Sequence, residues 1–272
     1  LDLLCKTYLD AGDDVLVAWP TYGHFLVFAR SRGLEPRRVA AADPFETPTA
    51  AILEAIGPRT QMVYLASPNN PTGVVMPADD IAMLCRTFPT TLFLVDEAYH
   101  EFCGQSVVGL VGRYPNLVVT RTFSKCFGIA GLRVGYLVAG LAVMHQLTKL
   151  YNPKSVNVLA QVGAQAALAD GAFREDYVRE VGLSREYLAV ALRARGAEVR
   201  STAANFVLVR VREPLRLVQA LEAVGVFVRD RSHLEGFEGW VRFTVATVFQ
   251  MKDLVDRIDK LLQADPSLLA RY

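Results

Sequence analysis

One lysine stands where a nucleophile could form. Lys125 lies in RTFSKCFGIAGLRVGY, residues 121–136, with Thr122 and Ser124 just before it and Gly128, Gly131 and Gly135 after it. Its flanks are small and apolar, and poor hydration disfavours the charged ammonium. A partly neutral amine attacks carbonyls, so Schiff-base chemistry is one reading. A surface lysine in a glycine-rich turn is the other.

A second group has the matching character. Asp96 ends LFLVD, a run with no polar residue before it, and a carboxylate in such a place needs a partner. The protonated ring nitrogen of pyridoxal 5'-phosphate (PLP) would serve, because an aspartate there keeps the ring an electron sink. Capping or bridging of loops is the alternative role. Asn70, in SPNNPTG, and Tyr99, in DEAY, could each donate to the cofactor's phenolate oxygen, although lone residues of these types more often serve turns or packing. Tyr22, after a proline, could lie over a flat ring or fill a core. Arg133 follows Lys125 by eight residues. Its fork suits a phosphate, with the Thr122 and Ser124 hydroxyls on the same side, or else simply a surface.

These residues need a scaffold. Short apolar runs at Asp14–Ala18, Arg37–Ala40, Gln61–Ala66, Leu92–Val95, Leu117–Thr120 and Leu132–Val138 read as strands, alternating with helical segments. That alternation predicts a mostly parallel sheet covered on both faces. Ligands in such folds sit beyond the carboxyl ends of the strands. Tyr22, Asn70, Asp96 with Tyr99, and Lys125 each follow a different predicted strand. After Gly140 the pattern turns to long helices and then to an α+β unit, with strands at Glu198–Arg200, Phe206–Val211, Val226–Arg229 and Val241–Val245 and a closing helix from about Lys252. The expected division is a large domain over 1–165 and a smaller C-terminal α+β domain over 166–272.

Composition narrows the function classes. Apolar residues make up 52% of the 272, charged residues 21%, and the net charge is +1 with no basic stripe, which argues for a folded enzyme-like chain and against nucleic acid. Cys5, Cys85, Cys103 and Cys126 form no C-x-x-C pair, as expected of a reducing cytoplasm without structural zinc. No apolar run is long enough to span a bilayer.

Taken in order, SPNNPTG, VDEAY and RTFSKCFGIAGLRVGY resemble the PLP-dependent aminotransferases of fold type I, and in detail the histidinol-phosphate aminotransferase branch. The resemblance extends through YNPKSVNVLAQ, ANFVLVR, VFVRD and VRFTVAT. It implies a three-layer α/β/α large domain. Lys125 would be the covalent anchor and proton carrier, Asp96 the partner of the pyridine nitrogen, Asn70 and Tyr99 the phenolate donors, and Tyr22 the stacking ring. Thr122, Ser124 and Arg133 would hold the phosphate. Arg242 would clamp the substrate α-carboxylate, Arg229 would reach the far end of the substrate, and Asn205 would lie nearby. The implied reaction moves an amino group between an amino acid or amino-phosphate and a 2-oxo acid, with imidazole-acetol phosphate and glutamate as the leading pair. An aromatic aminotransferase, a lyase such as a threonine-phosphate decarboxylase, and an inactive truncated homologue are the rivals. A homodimer is implied too.

The sequence departs from that pattern at its start. It opens inside a helix and without Met, so the expectation is a fragment lacking the family's glycine-rich phosphate loop and the tyrosine donated across the dimer interface. His233 replaces part of a turn that usually contains glycine, and Ala246 stands where glycine is common.

Overall fold

The computed structural model describes residues 1–272. The chain divides into two compact units, Leu1–Gly171 and Ala172–Tyr272.

The first unit contains six strands: β1 (Asp14–Ala18), β2 (Arg37–Val39), β3 (Thr60–Ala66), β4 (Leu92–Asp96), β5 (Leu117–Thr122) and β6 (Gly135–Ala139). They form one sheet in the order β2-β1-β3-β4-β5-β6. All neighbours are parallel except β5 and β6, which are antiparallel. The helices are α1 (Asp2–Tyr8), α2 (Gly23–Arg30), α3 (Thr49–Ala55), α4 (Ala78–Thr87), α5 (His100–Cys103), α6 (Leu141–Thr148) and α7 (Val158–Ala169).

Strand alternation produces two cores. On one face Met62 and Tyr64 of β3 and Leu94 of β4 pack with Leu4, Phe25 and Leu147 from the helices. On the other, Val63, Leu65, Phe93 and Val95 pack with Ile52, Ile81 and Leu84. Because both faces are buried, the central strands are apolar through their middles, residues 62–66 in β3 and 92–95 in β4, as a parallel sheet demands. This is the mostly parallel α/β/α layering expected of fold type I.

The second unit is built on α8 (Gly171–Ala194), which begins at the junction. A four-stranded sheet follows, β7 (Glu198–Ser201), β8 (Phe206–Arg210), β9 (Arg229–Asp230) and β10 (Trp240–Thr244), with α9 (Pro214–Ala223) and α10 (Val248–Ala264). The order is β7-β8-β10-β9, and every pairing is antiparallel.

Three element boundaries differ from the sequence reading by three residues or more. The strand expected from Leu132 begins at Gly135, because Ala130–Leu132 close a 3₁₀ turn and Arg133 has φ 53°. The strand expected at Val226–Arg229 is the two-residue β9, which pairs only with Val241 and Arg242. The last helix starts at Val248 rather than near Lys252. Thr247 and Gln250 form a reciprocal capping box that starts it a turn earlier.

Candidate active site

The strand ends deliver the candidate residues to one place. β1 leads through Pro20 and Thr21 to Tyr22, the N-cap of α2. β3 leads into the loop that holds Asn70, β4 ends on Asp96 with Tyr99 just beyond, and β5 ends on Thr122 with Ser124 and Lys125 next. A cavity of about 710 Å³ is lined by Tyr22, Asn70, Asp96, Tyr99, Lys125 and Arg133, and Thr122 and Ser124 share its wall. All eight residues singled out for a cofactor therefore border a single space. Its size is in the range of small-molecule sites, roughly 300–1,000 Å³.

The carboxylate of Asp96 borders this space and otherwise has protein around it. Oδ2 accepts a hydrogen bond from the Tyr64 hydroxyl at 3.0 Å. Burial pushes its pKa above the ordinary carboxylate value, and the Tyr64 bond pulls it back. Thr120 Oγ1 is close enough to lower it as well, though without meeting hydrogen-bond geometry. Lys125 Nζ lies 5.5 Å from the centre of the Tyr99 ring. The Tyr22 phenol is pushed up by burial first and by the Asp96 charge second.

The phosphate-side residues are organised by a small turn. The Ser124 N–H donates to Thr122 Oγ1 at 3.1 Å, and the Thr122 hydroxyl donates to Ser124 Oγ at 2.9 Å. Arg133 donates from one terminal nitrogen to the Ala130 carbonyl at 3.0 Å.

Several residues of the site carried no recognised signal in the sequence. Asn69, beside Asn70, is buried and joins two loops: its amide donates to the Pro20 carbonyl at 2.7 Å and to Thr72 Oγ1 at 2.9 Å. Its neighbour in NN offered no reason to prefer one asparagine for structure and the other for chemistry. Glu97, next to Asp96, points into a different network. It accepts from Arg121, from the Ser106 hydroxyl at 2.8 Å and from the Val107 N–H at 2.6 Å. The alternation of a strand was the available clue, since adjacent residues face opposite sides.

Arg229 and Arg242 belong to the second unit, where they are directly paired across β9 and β10. The Arg242 guanidinium lies 5.3 Å from the centre of the Phe206 ring. Asn205 precedes β8, and its carbonyl accepts the Val245 N–H at 2.8 Å. The second sheet thus brings the two arginines together as neighbours.

The residues around the cavity fit PLP on chemical grounds. One lysine and one carboxylate border the same cavity. Burial disfavours charge on that carboxylate, so it is poised to take a cationic partner. A guanidinium and two hydroxyls suit a phosphate.

Comparison with known proteins gives this set of residues a context. The family described as aminotransferase class I and II matches residues 1–258. The chain belongs to that family. Among aminotransferases, it is 36% identical to the histidinol-phosphate aminotransferase of Methanosarcina mazei over 94% of this chain and 69% of that protein. It is 34% identical to the dihydroxyacetone phosphate transaminase of Campylobacter jejuni, over 95% of this chain and 71% of that protein. The solved histidinol-phosphate aminotransferase of Sinorhizobium meliloti in complex with pyridoxal 5'-phosphate superposes with a TM-score of 0.86 at 25% identity, covering 97% of this chain and 74% of that one. Family and fold together bear out the expectation of a PLP-dependent aminotransferase of fold type I. No helix of this aminotransferase is long and apolar enough to cross a membrane.

Proposed function

We propose that this aminotransferase acts on a phosphate-bearing substrate, with imidazole-acetol phosphate and glutamate as the pair that yields histidinol phosphate and 2-oxoglutarate. The observation that carries the reading is the convergence of Asn70, Asp96, Tyr99 and Lys125, from three successive strand ends, on one cavity that Arg133 also lines. A phosphorylated substrate is supported by the relatives, since histidinol phosphate and dihydroxyacetone phosphate both appear in their names.

Bound PLP supplies an electron sink for charge that develops at the substrate Cα. Lys125 would be its covalent anchor between turnovers, and the Lys125 Nζ, when free, would carry the substrate Cα proton as a positioned general base and then acid. Asp96 would hold the pyridine nitrogen, and Asn70 and Tyr99 would hold the phenolate oxygen. Tyr22 would stack on the ring and exclude water. Thr122, Ser124 and Arg133 hold the phosphate by charge-assisted hydrogen bonds. Arg242 binds the substrate α-carboxylate as a bidentate fork, Arg229 takes the distal phosphate, and Asn205 supports the carboxylate end. The large and small domains of the sequence reading, 1–165 and 166–272, divide these tasks between cofactor and substrate. The working form is a homodimer in a reducing cytoplasm, a setting that suits four free cysteines.

The first test is an absorbance titration with PLP of the wild-type chain and Lys125→Ala. A long-wavelength band that requires Lys125 and is discharged by glutamate supports the reading. A folded protein with no Lys125-dependent band refutes it. Acceptors are then compared: imidazole-acetol phosphate, dihydroxyacetone phosphate and an aromatic 2-oxo acid, with carbon dioxide release from O-phosphothreonine as the decarboxylase arm. The proposal requires fastest turnover with imidazole-acetol phosphate. A faster aromatic acceptor, or release of carbon dioxide, overturns the substrate assignment.

A further inference from the structure

Tyr64 does not line the cavity and takes no part in the chemistry above. It is on β3, fully buried, and its ring stacks on Phe25 of α2 with centroids 4.2 Å apart and planes 4° from parallel. The stack fixes the ring, and the ring fixes the hydroxyl. That hydroxyl donates to Asp96 Oδ2 at 3.0 Å. The strand register explains the reach: Tyr64 pairs with Leu94, and Ala66 pairs with Asp96, so Tyr64 and Asp96 rise on the same face of adjacent parallel strands. A buried phenol with an apolar alternative at the same volume is an expensive choice for a core unless the hydroxyl has a partner.

We propose that Tyr64 is a positioning residue for the cofactor: its hydroxyl, locked by the Phe25 stack, fixes the Asp96 carboxylate at Oδ2 and favours its charged form, the form that pairs with a protonated ring nitrogen. The inference rests on the reading of Asp96 as the partner of the pyridine nitrogen. The physical basis is that a donor aimed at a carboxylate stabilises the anion against the desolvation that opposes it. The same α2 that supplies Phe25 is capped by Tyr22, so one aromatic stack ties the carboxylate under the cavity to the helix that presents the covering ring.

Several other groups act on Asp96. Tyr22, from the turn before α2, and Tyr99, from the segment after β4, border the same cavity, as do Lys125 and Arg133. The Ala98 N–H also favours the charged carboxylate. The Tyr64 hydroxyl is the main donor that holds the Asp96 pKa down against burial.

The test uses Tyr64→Phe, which keeps the ring and its stack and removes one oxygen. Aspartate is labelled with ¹³C at the side-chain carboxyl, and the Asp96 signal is assigned by its loss in Asp96→Asn. The carboxyl titration is read in the cofactor-free protein, and PLP affinity is read separately by equilibrium dialysis. The expected result is a higher titration midpoint for Asp96 in Tyr64→Phe and PLP binding about tenfold weaker at pH 7, the scale of one hydrogen bond to a charged group. An unchanged midpoint and unchanged affinity in a folded variant overturn the proposal.

Phe25→Leu loosens the stack while leaving the hydroxyl in place. It should lower stability and shift Asp96 less than Tyr64→Phe does. An equal or larger shift assigns the effect to packing and also overturns the proposal. As a second check, adding Tyr64→Phe to Asp96→Asn must cost no further PLP affinity. If Tyr64→Phe does not fold, Tyr64 is replaced by 3-fluorotyrosine, which keeps the ring and hydroxyl and must shift the Asp96 midpoint; an unmoved midpoint overturns the proposal. The two ideas fail differently. A Tyr64-dependent Asp96 titration without PLP binding sinks the cofactor reading, whereas PLP binding indifferent to the hydroxyl sinks only the role of Tyr64.

Discussion

Removing Arg121 should damage the first unit far more than its position beside the cavity suggests. Glu97 has a side chain only 2% exposed, and Arg121 is 15% exposed. Arg121 donates from Nε to Glu97 Oε2 at 2.9 Å, while a terminal nitrogen lies 2.8 Å from the same oxygen as an ion pair and donates to Ser106 Oγ at 2.7 Å. In Arg121→Met the carboxylate keeps only the Ser106 hydroxyl and the Val107 N–H. Stranding a buried charge costs about 3–5 kcal/mol, and two surviving donors place this case near ~3 kcal/mol. Arg121→Met combined with Glu97→Gln leaves no charge behind, so the double variant should recover about 2 kcal/mol relative to the single one. Trp19 lies in the first unit and Trp240 in the second. A Trp240→Phe background therefore makes urea melts followed by tryptophan fluorescence a report on the first unit alone. A slope of about 2 kcal/mol per molar turns the single-variant loss into a midpoint roughly 1.5 M lower. A shift below about 0.3 M, or a double variant as unstable as the sum of both single ones, would refute the argument. The consequence for function is direct, because this pair joins the end of β4, which carries Asp96, to the end of β5, which leads to Lys125.

Two further outcomes can be checked in the same protein. Asp14 is held below the ordinary carboxylate range chiefly by hydrogen bonds from Arg37, at 2.8 and 2.7 Å, with Thr60 adding a donor. A depressed folded pKa stabilises above the unfolded value of about 3.9 and is lost as pH falls through the folded one, so Asp14→Asn should cost about 1 kcal/mol at pH 7, modest because Arg37 is half exposed. That cost should shrink below about pH 4; a deficit that persists unchanged to pH 2 contradicts the assignment. Burial pushes the Cys85 thiol up to about 12 and the Cys5 thiol up to about 11, while Cys103 is the one cysteine that reaches the surface. A disulfide-exchange reagent at pH 8 should therefore label Cys103 first and the other three only on unfolding, as mass spectrometry would show.

The contrast between Asp96 and Glu97 shows how far the sequence could be read. Asp96 was legible because an apolar run closed on a carboxylate, a pattern that burial makes costly without a partner. Its orientation followed from strand alternation once β4 was placed. Glu97 stands next to it with the same chemistry and turns to the opposite face, where its partners come from Ser106, Val107 and Arg121. None of these is predictable from spacing, because the turns that bring them together depend on how β4 and β5 pair. Arg133 gives a second instance. Its type suggested a phosphate ligand, yet the strand drawn through it was wrong. The residue takes φ 53° after a 3₁₀ turn, and the strand starts only at Gly135, where an added Cβ would meet the Arg121 carbonyl oxygen at 2.6 Å. A non-glycine residue in that conformation is strained, and nothing local in GLRVGY announces it. Tyr64 is the extreme case. Within QMVYLA it reads as one more large core residue, and its stack on Phe25 is a core contact in kind. Only the register of β3 against β4 turns its hydroxyl towards Asp96. What the sequence displays is the chemistry each residue type can perform; which polar groups steady that chemistry is decided by pairing between strands. The residues most easily overlooked here are therefore those that face the site from the neighbouring strand.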